Sequence, residues 1–291
     1  MFMSRRRIGT ADRSGKWRLR AWSALGVTGL VAGLASGMPA SAADDPHGKP
    51  AARPVACRGQ VYVSFGTPTN VFAKAVSSRG AVEFKPLSAQ TTLYNALGLN
   101  PRDGFVYATT FGSGGNILLR FGRDGISHPL GPIAGLPPAL YISGTFDDAG
   151  NYYVLADDTG EIYRIDVRSR SVTGVVDVPE LADPELDIFD IAFRDGFLWG
   201  STDSGAITRI DIAEESVDFF PGVLPGGSDF GGVFVHGNGD LGLFRNAGQL
   251  FRVRVRDAAG SDPRFTVVST QTAPATTNFD ATSCFPKSSG H

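Results

Sequence analysis

Acidic side chains set among glycines are the residues of this 291-residue chain best suited to chemistry. Asp195, Asp203 and Asp211 fall within RDGFLWGSTDSGAITRID (194–211), where carboxylates stand beside glycine and serine as in a metal loop or a carboxylate active site. Upstream, Asp183, Glu185, Asp187 and Asp190 form a second group, and hard cations favour several such oxygens. Their spacing is not that of a calcium loop, so the segment reads as a solvated connection. The four histidines offer less. His47 and His291 lie in expected tails, His128 precedes a proline, and His236 sits beside Gly237, each the setting of a loop residue. No GxSxG elbow, HExxH motif or P-loop occurs. The run Gly112-Ser113-Gly114-Gly115 has no following helix whose dipole would hold a phosphate. No cofactor and no metal site is therefore expected.

The elements that position these acids follow from a repeat. Glycines at 59, 104, 150, 196 and 239 recur with gaps of 45, 46, 46 and 43 residues. Basic residues inside apolar runs recur in phase: Lys74, Arg120, Arg164, Arg209 and Arg252. Each unit is written in strand language, with aromatic and β-branched residues alternating with polar ones and Gly with Asp or Asn at the hairpins. The unit 140–178 divides into LYISGTFD, YYVLADD, EIYRIDV and VTGVVDV. Four antiparallel strands every 40 to 50 residues predict an all-β, five-bladed β-propeller. First strands are expected at 94–99, 141–147, 189–193, 230–236 and 278–283. The last lacks hairpin partners downstream, and VYVSFG, NVFAKAV and AVEFKPL (61–87) supply them from the other end. One blade is thus composite, built from both termini, which closes the ring.

The first 42 residues hold seven basic residues and one acid, then AWSALGVTGLVAGLAS and Met38-Pro39-Ala40-Ser41-Ala42. A basic region, an apolar region and a small-residue cleavage site make a signal peptide. The apolar run is short and glycine-rich for a retained anchor. The expected organisation is a signal peptide at 1–42, a flexible segment at 43–56, the propeller at 57–285 and a flexible tail at 286–291. Without residues 1–42 the chain keeps 20 of its 27 basic and 28 of its 29 acidic residues, a net charge of −8. An acidic domain without a basic cluster argues against nucleic acid, and no second apolar run is long enough to span a bilayer. A secreted monomer is expected. Cys57 and Cys284, the only cysteines, fit one disulfide of an exported domain rather than two free thiols. In the composite blade the bond stands where the other blades have a hairpin loop.

Several motifs resemble the family of exported bacterial propeller domains catalogued as domain of unknown function 6923. They are Tyr94-Asn95-Ala96 with Asp103-Gly104-Phe105-Val106-Tyr107, Asp190-Ile191-Ala192-Phe193, Phe230-Gly231-Gly232-Val233-Phe234, and the looser closing Asn278-Phe279-Asp280-Ala281-Thr282-Ser283-Cys284. Tyr141-Ile142-Ser143-Gly144-Thr145-Phe146 departs from the pattern, where asparagine at 142 and an acid at 145 would be expected. The resemblance implies the propeller and brings no activity.

In a propeller the first strands line the axis. Asn95, Asp190, Asn278 and Asp280 are then expected to converge at one mouth, rimmed by Tyr94, Tyr141, Phe189, Phe230 and Phe279. Such a mouth suits a small polar ligand, and the partner expected is an extracellular glycan or protein, with specificity carried by the inter-blade loops. The competing reading is a glycosidase-like hydrolase or lyase using Asp190 and Asp280, a chemistry that depends on carboxylate separation. The same groups also suit the solvation of a narrow water-filled tunnel.

Overall fold

The computed structural model describes residues 52–55, 59–67, 70–112, 114–157, 159–183, 186–227 and 229–284. The expected signal peptide, Cys57 and the tail at 286–291 lie outside these residues. The chain begins with β1 (Val61–Phe65), β2 (Asn70–Ser78) and β3 (Ala81–Gln90). Four sets of four strands follow. They are β4 (Tyr94–Leu99), β5 (Val106–Thr110), β6 (Ile117–Phe121) and β7 (Ser127–Pro132), then β8 (Tyr141–Phe146), β9 (Tyr152–Ala156), β10 (Glu161–Asp166) and β11 (Ser171–Asp177). The third set is β12 (Ile188–Arg194), β13 (Phe197–Thr202), β14 (Ile207–Asp211) and β15 (Ser216–Phe220). The fourth is β16 (Gly232–Val235), β17 (Leu241–Arg245), β18 (Gln249–Arg256) and β19 (Arg264–Thr272), and β20 (Asp280–Ser283) ends the series.

The first three sets are separate four-stranded antiparallel sheets. β20 pairs antiparallel with β1, Ser283 opposite Val61. The fold departs from the expected separate sheets in one place: the order β16-β17-β18-β19-β3-β2-β1-β20 is one eight-stranded sheet. Its two halves meet through a single parallel pair, Thr272 with Ala81, made as Thr272 N donates to Gly80 O at 3.2 Å. Two outermost strands touch there at their ends, a proximity of tertiary origin.

The repeat markers have physical causes. Gly59, Gly104, Gly150, Gly196 and Gly239 all have φ between +68° and +90°, a region where a Cβ is strained. Asp195 also has positive φ, so Asp195-Gly196 forms the hairpin turn whose twist matches its strands. The recurring cation stands opposite an aromatic of the neighbouring strand: Lys74 faces Tyr62, Arg120 faces Tyr107, Arg164 faces Tyr153 and Arg209 faces Trp199. Arg252 instead faces Gly242, whose missing side chain is replaced by the Phe234 ring.

Alternate residues of each strand face opposite neighbours. Tyr152, Val154 and Ala156 of β9 pack towards the β4–β7 sheet, while Tyr153 and Leu155 pack towards β12–β15. The apolar core is therefore divided among the spaces between successive sheets. Val55 enters one of these spaces and its N–H donates to Gly104 O at 2.9 Å, while Arg53 O accepts from Arg123 N at 2.8 Å. Of the segment expected to be flexible at 43–56, residues 52–55 are described, and Val55 is buried there. Residues 179–182, expected as an inter-blade loop, form a 3-10 turn with Pro179 at its start.

Arg209 shows what one recurrent cation does. Its guanidinium lies 4.8, 5.9 and 5.7 Å from the Phe197, Trp199 and Phe220 rings. It pairs with Asp218 at 2.7 Å and donates to Ala258 O and Gly260 O in the turn after β18. Replacing Arg209 by alanine leaves both carbonyls without this donor and is expected to cost about 3 kcal/mol. A chemical denaturation midpoint matching that of the unsubstituted protein would contradict this role.

Candidate functional site

The first strands β4, β8, β12, β16 and β20 each lie against the next, and β20 lies against β4. Each pairs antiparallel with one strand on one edge. Backbone groups on the other edge need partners once buried, and side chains of neighbouring first strands provide them. Thr145 Oγ1 of β8 accepts from Phe193 N of β12 at 3.1 Å. Asp190 Oδ2 of β12 accepts from Val233 N of β16 at 2.5 Å and from Ala281 N of β20 at 3.4 Å. Asp280 Oδ2 of β20 accepts from Leu97 N of β4 at 2.6 Å, and Thr282 Oγ1 accepts from Leu99 N at 3.0 Å. The Ser283 hydroxyl donates to Val235 O at 2.9 Å, and the Tyr152 hydroxyl donates to Ala96 O.

Local backbone irregularities aim these groups. The register of β4 shifts between Asn95 and Gly98, that of β8 between Tyr141 and Ser143, and that of β12 between Ile188 and Ile191. A bulge re-aims a side chain, and Asp190 lies in the β12 bulge. Ala96 lies in the β4 bulge with φ of +61°. Gly144 of β8 comes so close that a Cβ on it would stand 2.1 Å from Ala96 O.

Asp190 and Asp280 are both fully buried. Burial pushes both carboxyls well above the usual carboxylate range; for Asp190 the charge of Asp280 adds to the rise, opposed by hydrogen bonds from the Val233, Ile191 and Ala281 amides. For Asp280 the opposing groups include the Leu97 and Ala281 amides and a hydrogen bond with Asp190. The charge of Asp280 opposes ionisation of Asp190, so the two buried carboxyls titrate as a pair. Asp280 Oδ1 has no hydrogen-bond partner among the described residues. Tyr152, beside both acids, and Tyr94, beside Asp280, are also raised, first by their own burial.

Because the folded values lie above the unfolded ones, the pair's contribution to stability is fully present below the unfolded carboxyl value of 3.8. It is lost as pH rises through the folded values. Asp280→Asn keeps an oxygen for Leu97 N–H and puts a neutral amide in place of the titrating carboxyl. Its stability relative to the unsubstituted protein is expected to rise steadily between pH 5 and pH 9, followed by urea denaturation. A difference independent of pH would contradict the raised titration of the pair. His236 acts in the opposite sense. Burial, and then Arg252, lower its pKa to about 4, so it is neutral when folded and its contribution falls as pH drops from 6.5 towards 4.

Of the sequence-selected residues, Asp190 and Asp280 come together, as do Asn95 and Asn278, whose side chains bond at 3.4 Å. Asn95 Oδ1 also accepts from Ala96 N at 2.9 Å. Tyr94 is elsewhere: its ring is fully buried against Phe121, 4.7 Å between centroids, and its carbonyl accepts from Asn70 Nδ2 at 2.8 Å. Tyr141 and Phe230 are likewise fully buried, Phe279 is buried and Phe189 half-buried, so these aromatics pack into the core instead of rimming an open mouth. A narrow cavity of about 90 Å³ lies towards the other end of the first strands, lined by Thr145, Ile191, Val233, Ala281 and Thr282. Among the described residues no group of three His, Cys, Asp or Glu is placed to hold a metal ion. Of the expected acidic segment, Pro184 and Glu185 lie outside the described residues. His128, expected in a loop, lies in β7 with Nε2 3.8 Å from Asp124.

The model of a repeat of unknown function, DUF6923, matches residues 60–286. The chain belongs to the DUF6923 family. No curated protein matches the chain. Solved structures with a similar fold are β-propeller-like proteins. A streptogramin B lyase is 13% identical with a TM-score of 0.42 over 71% of this chain and 73% of that one. An inactive virginiamycin B lyase from Staphylococcus aureus bound to quinupristin is 15% identical with a TM-score of 0.44 over 71% and 70%. Glutaminyl cyclase from Myxococcus xanthus is 15% identical with a TM-score of 0.45 over 68% and 88%. Likeness at this level carries nothing about chemistry.

The geometry accounts for two motifs of this DUF6923 member. In Asp103-Gly104-Phe105-Val106-Tyr107 the Tyr107 hydroxyl donates to Asp103 Oδ2 at 2.8 Å, binding the hairpin to its own turn. In the closing motif Asp280 and Thr282, two apart, point the same way and bond alternate amides of β4. Sequence reasoning passed over Thr145, Thr282 and Gly144. The alternation Asp280-Ala281-Thr282 was the signal that could have revealed Thr282.

Proposed function

We propose that this protein is a secreted, non-catalytic, five-bladed β-propeller that binds an extracellular glycan or protein. The reading rests on one observation: the two axial acids are fully buried, and their oxygens accept backbone N–H groups from neighbouring first strands. Carboxylates so held fasten strands together and are turned away from any substrate. The antiparallel pairing of β20 with β1 supports a fifth, composite blade from both termini, with the Thr272–Ala81 contact a touch between adjacent blades. Cys284 is buried beside that pairing and no cysteine among the described residues is free, which supports its disulfide with Cys57. The basic, apolar and small-residue order of residues 1–42 supports export.

Loops on either side of the sheets are natural contact surfaces, the inter-blade loops among them, since loops on a rigid scaffold vary without disturbing it. The test is a panel of cell-wall glycans and secreted proteins screened against the protein and its Asp280→Asn variant. Saturable binding of equal strength by both is the expected result. Turnover of any panel member that Asp280→Asn abolishes would replace this reading with the hydrolase or lyase one.

A further inference from the structure

Arg102 and Arg194 hold equivalent places in the repeat, each directly before an Asp-Gly turn. Arg194 reaches the next sheet. It donates to Asp195 Oδ2 at 2.9 Å and to Val255 O of β18 at 3.3 Å, its guanidinium lying over Gly239. Two sheet interfaces earlier, Arg102 has the same surroundings, with Gly150 in the place of Gly239 and Val167 in the place of Val255. Its stem lies at Gly150, where a Cβ would stand 2.8 Å from Arg102 Cγ. Yet among the described residues its guanidinium has neither a hydrogen bond nor an ion pair. In the space that the Arg194 contact closes, the Arg102 side has an open cleft of about 600 Å³.

Arg168 lines the same cleft, exposed and with its guanidinium equally without a partner among the described residues. Of the acids that line it, Asp103 is turned to the protein. Asp103 accepts from the Tyr107 hydroxyl, Asn100 Nδ2 and Phe105 N. Asp166 Oδ1 accepts from Arg168 N at 2.8 Å, leaving Oδ2 for a hydroxyl donor. The volume falls within the ~300–1,000 Å³ of small-molecule sites, and a guanidinium holds a carboxylate through two parallel hydrogen bonds.

We infer that this cleft binds a hydroxylated carboxylate of the uronic-acid class, its carboxylate held by Arg102 and Arg168 and a hydroxyl received by Asp166. The inference rests on the binding-module reading and gives it a site and a ligand chemistry. It lies on the side where the first strands end, opposite Asn95 and Asn278.

Calorimetric titration of the protein with galacturonate oligomers, neutral galactose oligomers and inorganic phosphate tests it. Saturable binding of the acidic oligomers is expected, at least 10-fold tighter than the neutral ones and weakened at least 10-fold in an Arg102→Ala/Arg168→Ala variant whose melting temperature is unchanged. Arg194→Ala, which loses the Val255 contact, should bind as before. Equal binding of neutral and acidic oligomers, or indifference to the double substitution, would overturn the inference. So would binding of phosphate as tight as that of the oligomers, since the site would then hold a bare anion. Binding of other glycans or proteins without the acidic oligomers overturns the cleft and leaves the module reading standing. Absence of saturable binding across the whole panel overturns both.

Discussion

Asp190→Ala is expected to be among the most damaging single changes in the described fold. The carboxylate accepts from Ile191, Val233 and Ala281 amides on three different first strands. Alanine leaves those buried donors unpaired at once, and each orphaned group costs about 1–3 kcal/mol. A loss on the order of 4 kcal/mol follows, which for a domain of this size lowers the melting temperature by roughly 10 °C. Asp190→Asn retains an acceptor for the shortest of these bonds, so calorimetry should place it between alanine and the unsubstituted protein. Alanine and asparagine variants that melt together, near the unsubstituted protein, would mean that the axial hydrogen bonds do not hold the first strands.

Gly144→Ala should be comparably severe for a steric reason. The added carbon would stand 2.1 Å from Ala96 O and 2.5 Å from Ala96 C, both backbone atoms in a bulge already at positive φ. No side-chain rotation relieves such a contact, so β4 and β8 must separate and the hydrogen bond from Tyr152 to Ala96 O is lost with them. Destabilisation of about 3–5 kcal/mol is expected from overpacking plus the broken bond. A urea midpoint within the error of the unsubstituted protein would refute it. The reciprocal change, Ala96→Gly, relieves the positive φ without adding atoms and should leave stability unchanged or raised by up to ~1 kcal/mol.

The strands and the repeat were legible because they are local properties. A glycine held at positive φ recurs wherever a hairpin recurs, and β-strand alternation writes the two-sided burial of β9 directly into Tyr152-Tyr153-Val154-Leu155-Ala156. The axial acids were legible only as a convergence. That Asp190 points at the amides of β16 and β20 depends on a bulge between Ile188 and Ile191, and no residue type in Phe189-Asp190 announces it. The aromatic residues at the strand starts were misplaced for a related reason. A tyrosine suits a wet rim and a dry interface alike, and Tyr94 goes to the interface because Phe121 lies across the gap. The union of β3 with β19 was beyond reach, since a single parallel contact leaves no periodic trace.

β20 is held by β1 on one side and gives its carboxylate to β4 on the other. It is also the last of the described strands in chain order. Strands made first must wait, edges unpaired, for Asp280 to arrive some 200 residues later, and so long a sequence separation slows folding. Until β20 is made, β4 lacks the acceptor for its Leu97 amide. A product of premature termination before Asp280 is marked by the same omission: its β4 amide at Leu97 stays open, and proteases meet an unlatched edge.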